Sequence, residues 1–322
     1  MSLSVSFSAS ASASASTSAS TSAATSAFAG NPGGPVPPAR IDLAAAPRGT
    51  FDPTDEKLRA AATNFERALT ASTVPVTICA PPLHRRLING PDCACWQVEE
   101  EEALWTVVIE SCERAGNAEW VPDIASRALG NRGNARSRQG RLVEALGDYN
   151  AAIAYAPYAV DPVLNRGVVL ESLGRFQEAA ADYSAVLAVA PNDPAAWNNL
   201  GNAQAGVGAW GDAVESYRRA SMLAPVFSFA AANYALALYE VGNDNAAIKQ
   251  MRNLLRKYPE FPDMRAALAV ALYAAGLRAE AENAWSRVDD GRYRDREWVS
   301  EYRRWPPRLV SELAAFLDLK PV

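Results

Sequence analysis

The sequence predicts an all-α fold, an α-solenoid of stacked antiparallel helical hairpins with helical caps, and three observations carry that prediction. Pro157, Pro191, Pro225 and Pro259 recur every 34 residues. Counted from unit starts at Ser126, Val160, Pro194 and Ser228, small residues fill two further columns: Gly133, Gly167, Gly201 and Ala235 at position eight, and Gly140, Gly174, Gly208 and Gly242 at position fifteen. Apolar residues at helical spacing flank each position-fifteen glycine. A period of this length marks a supersecondary unit that cannot bury its apolar face alone and gains stability by stacking on its neighbours.

Each column has a physical task. The position-fifteen glycine suits a left-handed C-cap, where one helix stops and a second starts antiparallel to it. Small residues at position eight, and Ala145, Ala179, Ala213 and Ala247 at position twenty, let the two backbones approach. Tyr149, Tyr183, Tyr217 and Met251 at position twenty-four are expected to fill the groove between neighbouring hairpins. The proline at position thirty-two ends the second helix, because it lacks an amide donor and clashes with the preceding turn. The array therefore comprises units 126–159, 160–193, 194–227 and 228–261. A degenerate fifth, 262–293, keeps Ala269, Gly276, Ala281 and Trp285 but has Tyr293 in the proline column.

Ahead of the array, the first 39 residues contain no charged side chain, and residues 1–30 are dominated by Ser with Ala and Thr. Such a segment builds no core. It has neither the apolar stretch of a secretory signal nor the arginines of a mitochondrial presequence, and it resembles a chloroplast transit peptide followed by the linker GNPGGPVPPAR. Residues 1–39 are accordingly read as a disordered leader and linker, which places the protein in the chloroplast stroma; a cytosolic protein with a disordered Ser/Ala tail is the alternative. Residues 40–125 form an N-terminal helical extension, with one helix from about Pro53 to Thr70, an irregular proline-rich stretch, and a helix around EEEEALWTVVIESCERAG. Residues 294–322 supply C-terminal capping helices split at Pro306 and Pro307, with Trp298, Tyr302, Leu309, Leu313, Phe316 and Leu317 available for packing.

Composition narrows the chemistry. A net charge of −5 argues against a polybasic nucleic-acid or membrane-surface protein, and no apolar run reaches the roughly 20 residues of a spanning helix. Cys79, Cys93, Cys95 and Cys112 all precede the array, and His84 is the single histidine. Neither a disulfide framework nor a metal site is expected, and no cofactor. A redox role for Cys93 and Cys95 is the functional reading of that pair, against incidental thiols. No G-x-S-x-G, phosphate-binding glycine loop or paired acid motif stands outside helix faces, so catalysis is not expected.

The columns together are similar to the tetratricopeptide repeat, over roughly 126–293, and the C-terminal tail resembles that of tetratricopeptide proteins of plastids and cyanobacteria. The resemblance implies a superhelix whose first helices line a concave groove through positions two, five, six, nine, twelve and thirteen. In this sequence they supply a polar half, Arg127, Asn131, Asn134, Arg138, Asn165, Asn198, Asn199 and Asn202, and an aromatic half, Phe229, Leu236, Tyr239, Val270 and Tyr273. The first suits peptide backbone and carboxylates, the second apolar anchors. The position-six asparagines have a structural reading beside the functional one, as ties between helices. Chaperone-binding members clamp a partner's terminal carboxylate with basic residues where this chain has Gly130, Ala195 and Asn199, so that clamp is not expected.

Arg127, Arg132, Arg136, Arg138 and Arg141 form a basic cluster; pairing with Glu99, Glu100, Glu101 and Glu102 is favoured over ligand binding. The expectation is a protein-interaction scaffold of the chloroplast that binds a protein or extended peptide and serves as an assembly or maturation factor, with peripheral thylakoid association left open. An organellar RNA-binding helical repeat is the alternative. It would need a groove basic over many units, so specific nucleic-acid binding is not expected.

Overall fold

The computed structural model describes residues 34–47, 52, 54–73 and 94–318, and every regular element among them is helical. The expected leader up to residue 33, the irregular stretch 74–93 and the last four residues lie outside the described residues. The chain divides into two compact units, Met1–Val189 and Ala190–Val322.

In the first unit, α1 (Glu56–Thr73) packs on α2 (Ala94–Ala115), which packs on α3 (Val121–Arg138). Two hairpins follow, α3 with α4 (Leu142–Tyr155) and α5 (Val160–Ser172) with α6 (Phe176–Val189). Helix α3 starts at Val121, ahead of Ser126, because Pro122 sits in its first turn, where a missing amide donor costs nothing. Trp105, Val108, Cys112, Ala125 and Ala128 form one buried cluster across α2 and α3.

In the second unit, α7 (Pro194–Gly206) pairs with α8 (Trp210–Leu223), α9 (Ser228–Glu240) with α10 (Asp244–Lys257), and α11 (Pro262–Ala274) with the shorter α12 (Arg278–Trp285). A 3-10 turn, Gly291–Arg294, and a π turn, Trp298–Tyr302, lead into α13 (Pro307–Leu317), which packs on α9 and α11. The starts of α5, α7, α9 and α11 coincide with the unit starts expected from the 34-residue period, including the degenerate fifth.

The two glycine columns prove to be different devices. Gly174 has φ +73°, and the Arg175 N–H closes a 2.8 Å bond onto the Leu170 carbonyl, the 6→1 link of a Schellman cap. A Cβ added at Gly174 would meet nothing within 4 Å, so backbone conformation alone demands glycine. Gly201 is the reverse case: a Cβ there would lie 2.6 Å from Cε1 of Tyr217. The position-twenty-four ring thus packs on the glycine of its own hairpin, which corrects the expectation that it fills the space between hairpins. Where the ring is replaced by Met251, the glycine is replaced by Ala235, and both are fully buried in one apolar cluster. The flexible thioether leaves room for the extra methyl.

Candidate functional site

The first helices of the unit Met1–Val189 carry Arg127, Asn131, Asn134, Arg138 and Asn165 of the polar half of the expected groove. Asn134 and Arg138 on α3, with Asn165 and Val168 on α5, line a cleft of about 280 Å3. Its asparagines are ordered from within. The Tyr149 hydroxyl donates to Asn134 Oδ1 at 2.6 Å, and Asn165 Nδ2 donates to the same oxygen at 3.2 Å. Asn165 therefore ties α5 to α3, while Asn134 is held where a peptide group would meet it. Val168 is 42% exposed and forms the apolar lip.

The basic cluster beside this cleft is internally neutralised. Arg132 makes two bonds to Asp148, at 2.7 and 3.1 Å, and Arg136 bridges Asp148 and Glu102 at 2.9 Å each. Arg141 pairs with Glu102 and Glu144, Arg138 with Glu101, and the exposed Arg127 with Asp123 on its own helix. Burial opposes ionisation of Glu102, but hydrogen bonds from Arg136 and Gln139 and the charges of Arg136 and Arg141 outweigh it and hold its carboxyl below the usual range. Asn131 lies half-buried on α3.

On the opposite, second-helix side of the same unit, residues 34–42 run against α5 and α6. Arg175 donates to the Gly34 carbonyl at 2.8 Å and Arg166 to the Pro37 carbonyl at 3.2 Å. The Val36 N–H donates to Glu178 at 2.6 Å, and the Asp42 N–H to the Pro157 carbonyl at 2.9 Å. Arg166 also forks onto Asp182 at 2.6 and 2.8 Å, the pair being at most 3% exposed. Residues 34–39, assigned from composition to the disordered leader and linker, are instead held by their backbone groups, which charge and hydropathy do not reveal.

In the unit Ala190–Val322 the aromatic half of the expected groove is not open. Leu236, Tyr239 and Val270 are buried, at 6%, 0% and 0% exposure, and Tyr273 is half-buried. Helix α13 covers them: Phe316 meets the Tyr273 ring edge-on at 5.3 Å, Arg308 stacks 4.3 Å over the Tyr239 ring, and Leu309 and Leu313 are fully buried in the same cluster. Burial pushes the Tyr239 phenol up to about 12. Leu236, Tyr239 and Val270 are core and Tyr273 packs half-buried against it, because the tail that was expected to cap the array packs along the first-helix face. Only Phe229 of the aromatic set is exposed, edge-to-face with Phe261 at 5.9 Å. Asn198 is buried and accepts from Asn233 at 3.1 Å; Asn202 accepts the Tyr217 hydroxyl at 2.9 Å; Asn199 accepts a 3.4 Å bond from Asn198. Asn198 and Asn202 thus tie α7 to α9 and α8, whereas the bond of Asn199 stays within α7.

Of the cysteines, Cys79 and Cys93 and the side chain of Cys95 lie outside the described residues. Cys112 is buried, and desolvation raises its thiol to about 11, which keeps it protonated and unreactive. Among the described residues no helix is long and apolar enough to cross a membrane.

The model of the family described as Tetratricopeptide repeat matches residues 164–225 and 234–292. A tetratricopeptide repeat protein from Parabacteroides merdae shares the fold: TM-score 0.56, 15% identity, 80% of this chain and 99% of that one. YrrB, a TPR protein with an unusual peptide-binding site, aligns at TM-score 0.47 and 19% identity, over 57% of this chain and 90% of its own. MamA aligns at 0.46 and 20%, over 48% and 91%. No curated protein matches the chain.

Proposed function

We propose that the protein is a protein-interaction scaffold of the chloroplast stroma that holds an extended peptide in the Asn134–Arg138–Asn165 cleft and serves assembly or maturation of a plastid complex. Protein binding is the role that the tetratricopeptide fold supports. The observation that carries the site is the open polar cleft itself, with amide groups pre-oriented by Tyr149 and an exposed apolar lip. Preorganised amides lower the ordering cost of gripping a peptide backbone. Neutralisation of Arg132, Arg136 and Arg141 by acids of the same chain favours a peptide over RNA, because those arginines are not available to phosphates. The plastid assignment rests on the charge-free Ser/Ala leader.

Two measurements test this reading. Residues 1–60 fused to a fluorescent protein should enter chloroplasts, and a cytosolic signal would remove the stromal assignment. Cross-linking and mass spectrometry in intact chloroplasts should recover a partner on residues 134–168. Val168→Arg, which fills the cleft without removing a hydrogen bond, should lower that recovery at least tenfold; equal recovery would place the partner elsewhere.

A further inference from the structure

The repeat makes one more site visible, on the second-helix face of the unit Ala190–Val322, independent of the cleft proposed above. In the unit Met1–Val189 that face grips residues 34–42 through Arg166 and Arg175, at positions seven and sixteen of their hairpin. Three repeats further along, the same positions are Leu268 and Leu277, and the position of Asn150, which also binds Arg166, is Arg252. These residues line an open cleft of about 790 Å3 between α10 and the α11–α12 turn. It stands open for a structural reason. The second helices α4, α6, α8 and α10 have 14 residues each, whereas α12 has 8 and ends at Trp285, so one wall of the groove is cut short.

The chemistry of this cleft differs from that of its counterpart. Its floor is apolar, from Ile248, Leu268 and Leu277, the last 43% exposed. Its rim is basic, with Lys249, Arg252 and Arg256 at helical spacing along one face of α10. Arg252 reaches Glu280 across the cleft at 2.5 Å, both side chains about half exposed, and among the described residues neither Lys249 nor Arg256 has an ion-pair partner. In the first unit the equivalent groove has two acids, Glu178 and Asp182; here Glu280 keeps the first position and Ala284 takes the second.

We propose that the cleft between α10 and α12 docks an extended acidic segment of a partner protein, with apolar side chains on the Leu268–Leu277 floor and carboxylates at the α10 rim. The counterpart groove holds residues 34–42, which form no helix before Leu43; here leucines replace its arginine grips, so the floor takes side chains of such a segment instead of its backbone. The 14 residues of α10 span roughly 21 Å, the length of about six extended residues. Acidity follows from Lys249 and Arg256, with Arg252 already paired to Glu280, and an apolar floor with so few cations suits a peptide better than a nucleic acid, whose affinity scales with the number of phosphates neutralised.

The test uses the purified full chain and fluorescein-labelled octapeptides of the pattern PxVxPLxx, with zero, two or four glutamates at x and glutamine elsewhere, read by fluorescence anisotropy. Affinity should rise at least tenfold from the zero- to the four-glutamate peptide and weaken as salt is added. Lys249→Glu with Arg256→Glu, both exposed, should abolish the preference for glutamate with helicity unchanged. Val168→Arg, in the other cleft, should leave it intact, which separates failure of this site from failure of the first. A photo-cross-linker on the four-glutamate peptide should label residues 245–256 or 268–277. Equal binding of all three peptides, no binding, labelling confined to other residues, or displacement of the peptide by poly(U) at equimolar phosphate and carboxylate would overturn the proposal.

Discussion

The unit ending at Val189 and the unit beginning at Ala190 are built from the same hairpin, yet each covers a different face with its own chain. In the first, residues 34–42 occupy the second-helix side, gripped by Arg166 and Arg175, and the first helices keep a polar cleft. In the second, α13 seals the first helices over Tyr239, Val270 and Tyr273, and the second-helix side keeps a basic one. The two coverings also work by different forces. The N-terminal segment is held through main-chain hydrogen bonds to charged side chains, whereas α13 is held by apolar burial, with Leu309 and Leu313 fully buried. A repeat thus offers every hairpin the same two surfaces, and segments outside the repeat select which one remains for a partner.

The largest expected effect tests the apolar covering. Leu309→Ala with Leu313→Ala should destabilise the second unit by about 4 kcal/mol or more, since each fully buried leucine is worth about 2–5 kcal/mol. Denaturant unfolding measures it, and dye binding should report the uncovered Tyr239 and Val270 surface. A loss under about 1 kcal/mol would mean that α13 does not seal that face.

The next effect tests the polar covering. Arg166→Ala leaves Asp182 as a buried carboxylate without its partner, at a cost of about 3–5 kcal/mol, and removes the donor to the Pro37 carbonyl. Proteolysis within residues 34–47 should accelerate. Adding Asp182→Ala should recover much of the stability without restoring protection, because Arg166 and Asp182, which accepts the Ala39 N–H, both grip the segment. Recovery of both would show that residues 34–42 are not held by this pair.

The smallest effect is a pH response of α13. A hydrogen bond from Arg308 holds the Asp244 carboxyl below its ordinary value, and Arg308 also donates at 2.8 Å from its second terminal nitrogen. A depressed folded-state pKa contributes stability above the unfolded value near 3.8, and that stability is lost as pH falls through the lower folded value. The pair is more than a third exposed, so the screened contribution is at most about 1 kcal/mol. Asp244→Asn should remove this part of the acid dependence, measured as the difference in unfolding midpoint between pH 6 and pH 3. An unchanged pH profile would assign the α13 attachment to packing alone.

Much of the fold was legible because its signals are local and repeated. The proline and glycine columns place α5, α7, α9 and α11 at their first residues, and the Gly174 turn needs only the conformation that glycine alone adopts without strain. The pairing of the arginine cluster with Glu101 and Glu102 was legible from opposite charges on sequence neighbours. The site was legible in part. Asn134, Arg138 and Asn165 do line a cleft, and the basic stripe Lys249, Arg252 and Arg256 could have been read from its spacing on one helix face. Leu236, Tyr239, Val270 and Tyr273 were misassigned because a side chain that faces a groove reads the same whether a partner or the chain's own tail fills it.

The sequence by itself therefore determined the repeat unit, its turns and the close approach of its paired helices, since each depends on residues within one 34-residue period. Which face stays open was decided only in the tertiary structure. That outcome depends on where residues 34–42 and α13 come to rest, through contacts such as Arg175 with Gly34 and Arg308 with Asp244, which join residues 141 and 64 positions apart. Backbone carbonyls and apolar helix faces carry no sequence signature of their destination, so a contact of that range is specified by the packed surfaces and not by the pattern along the chain.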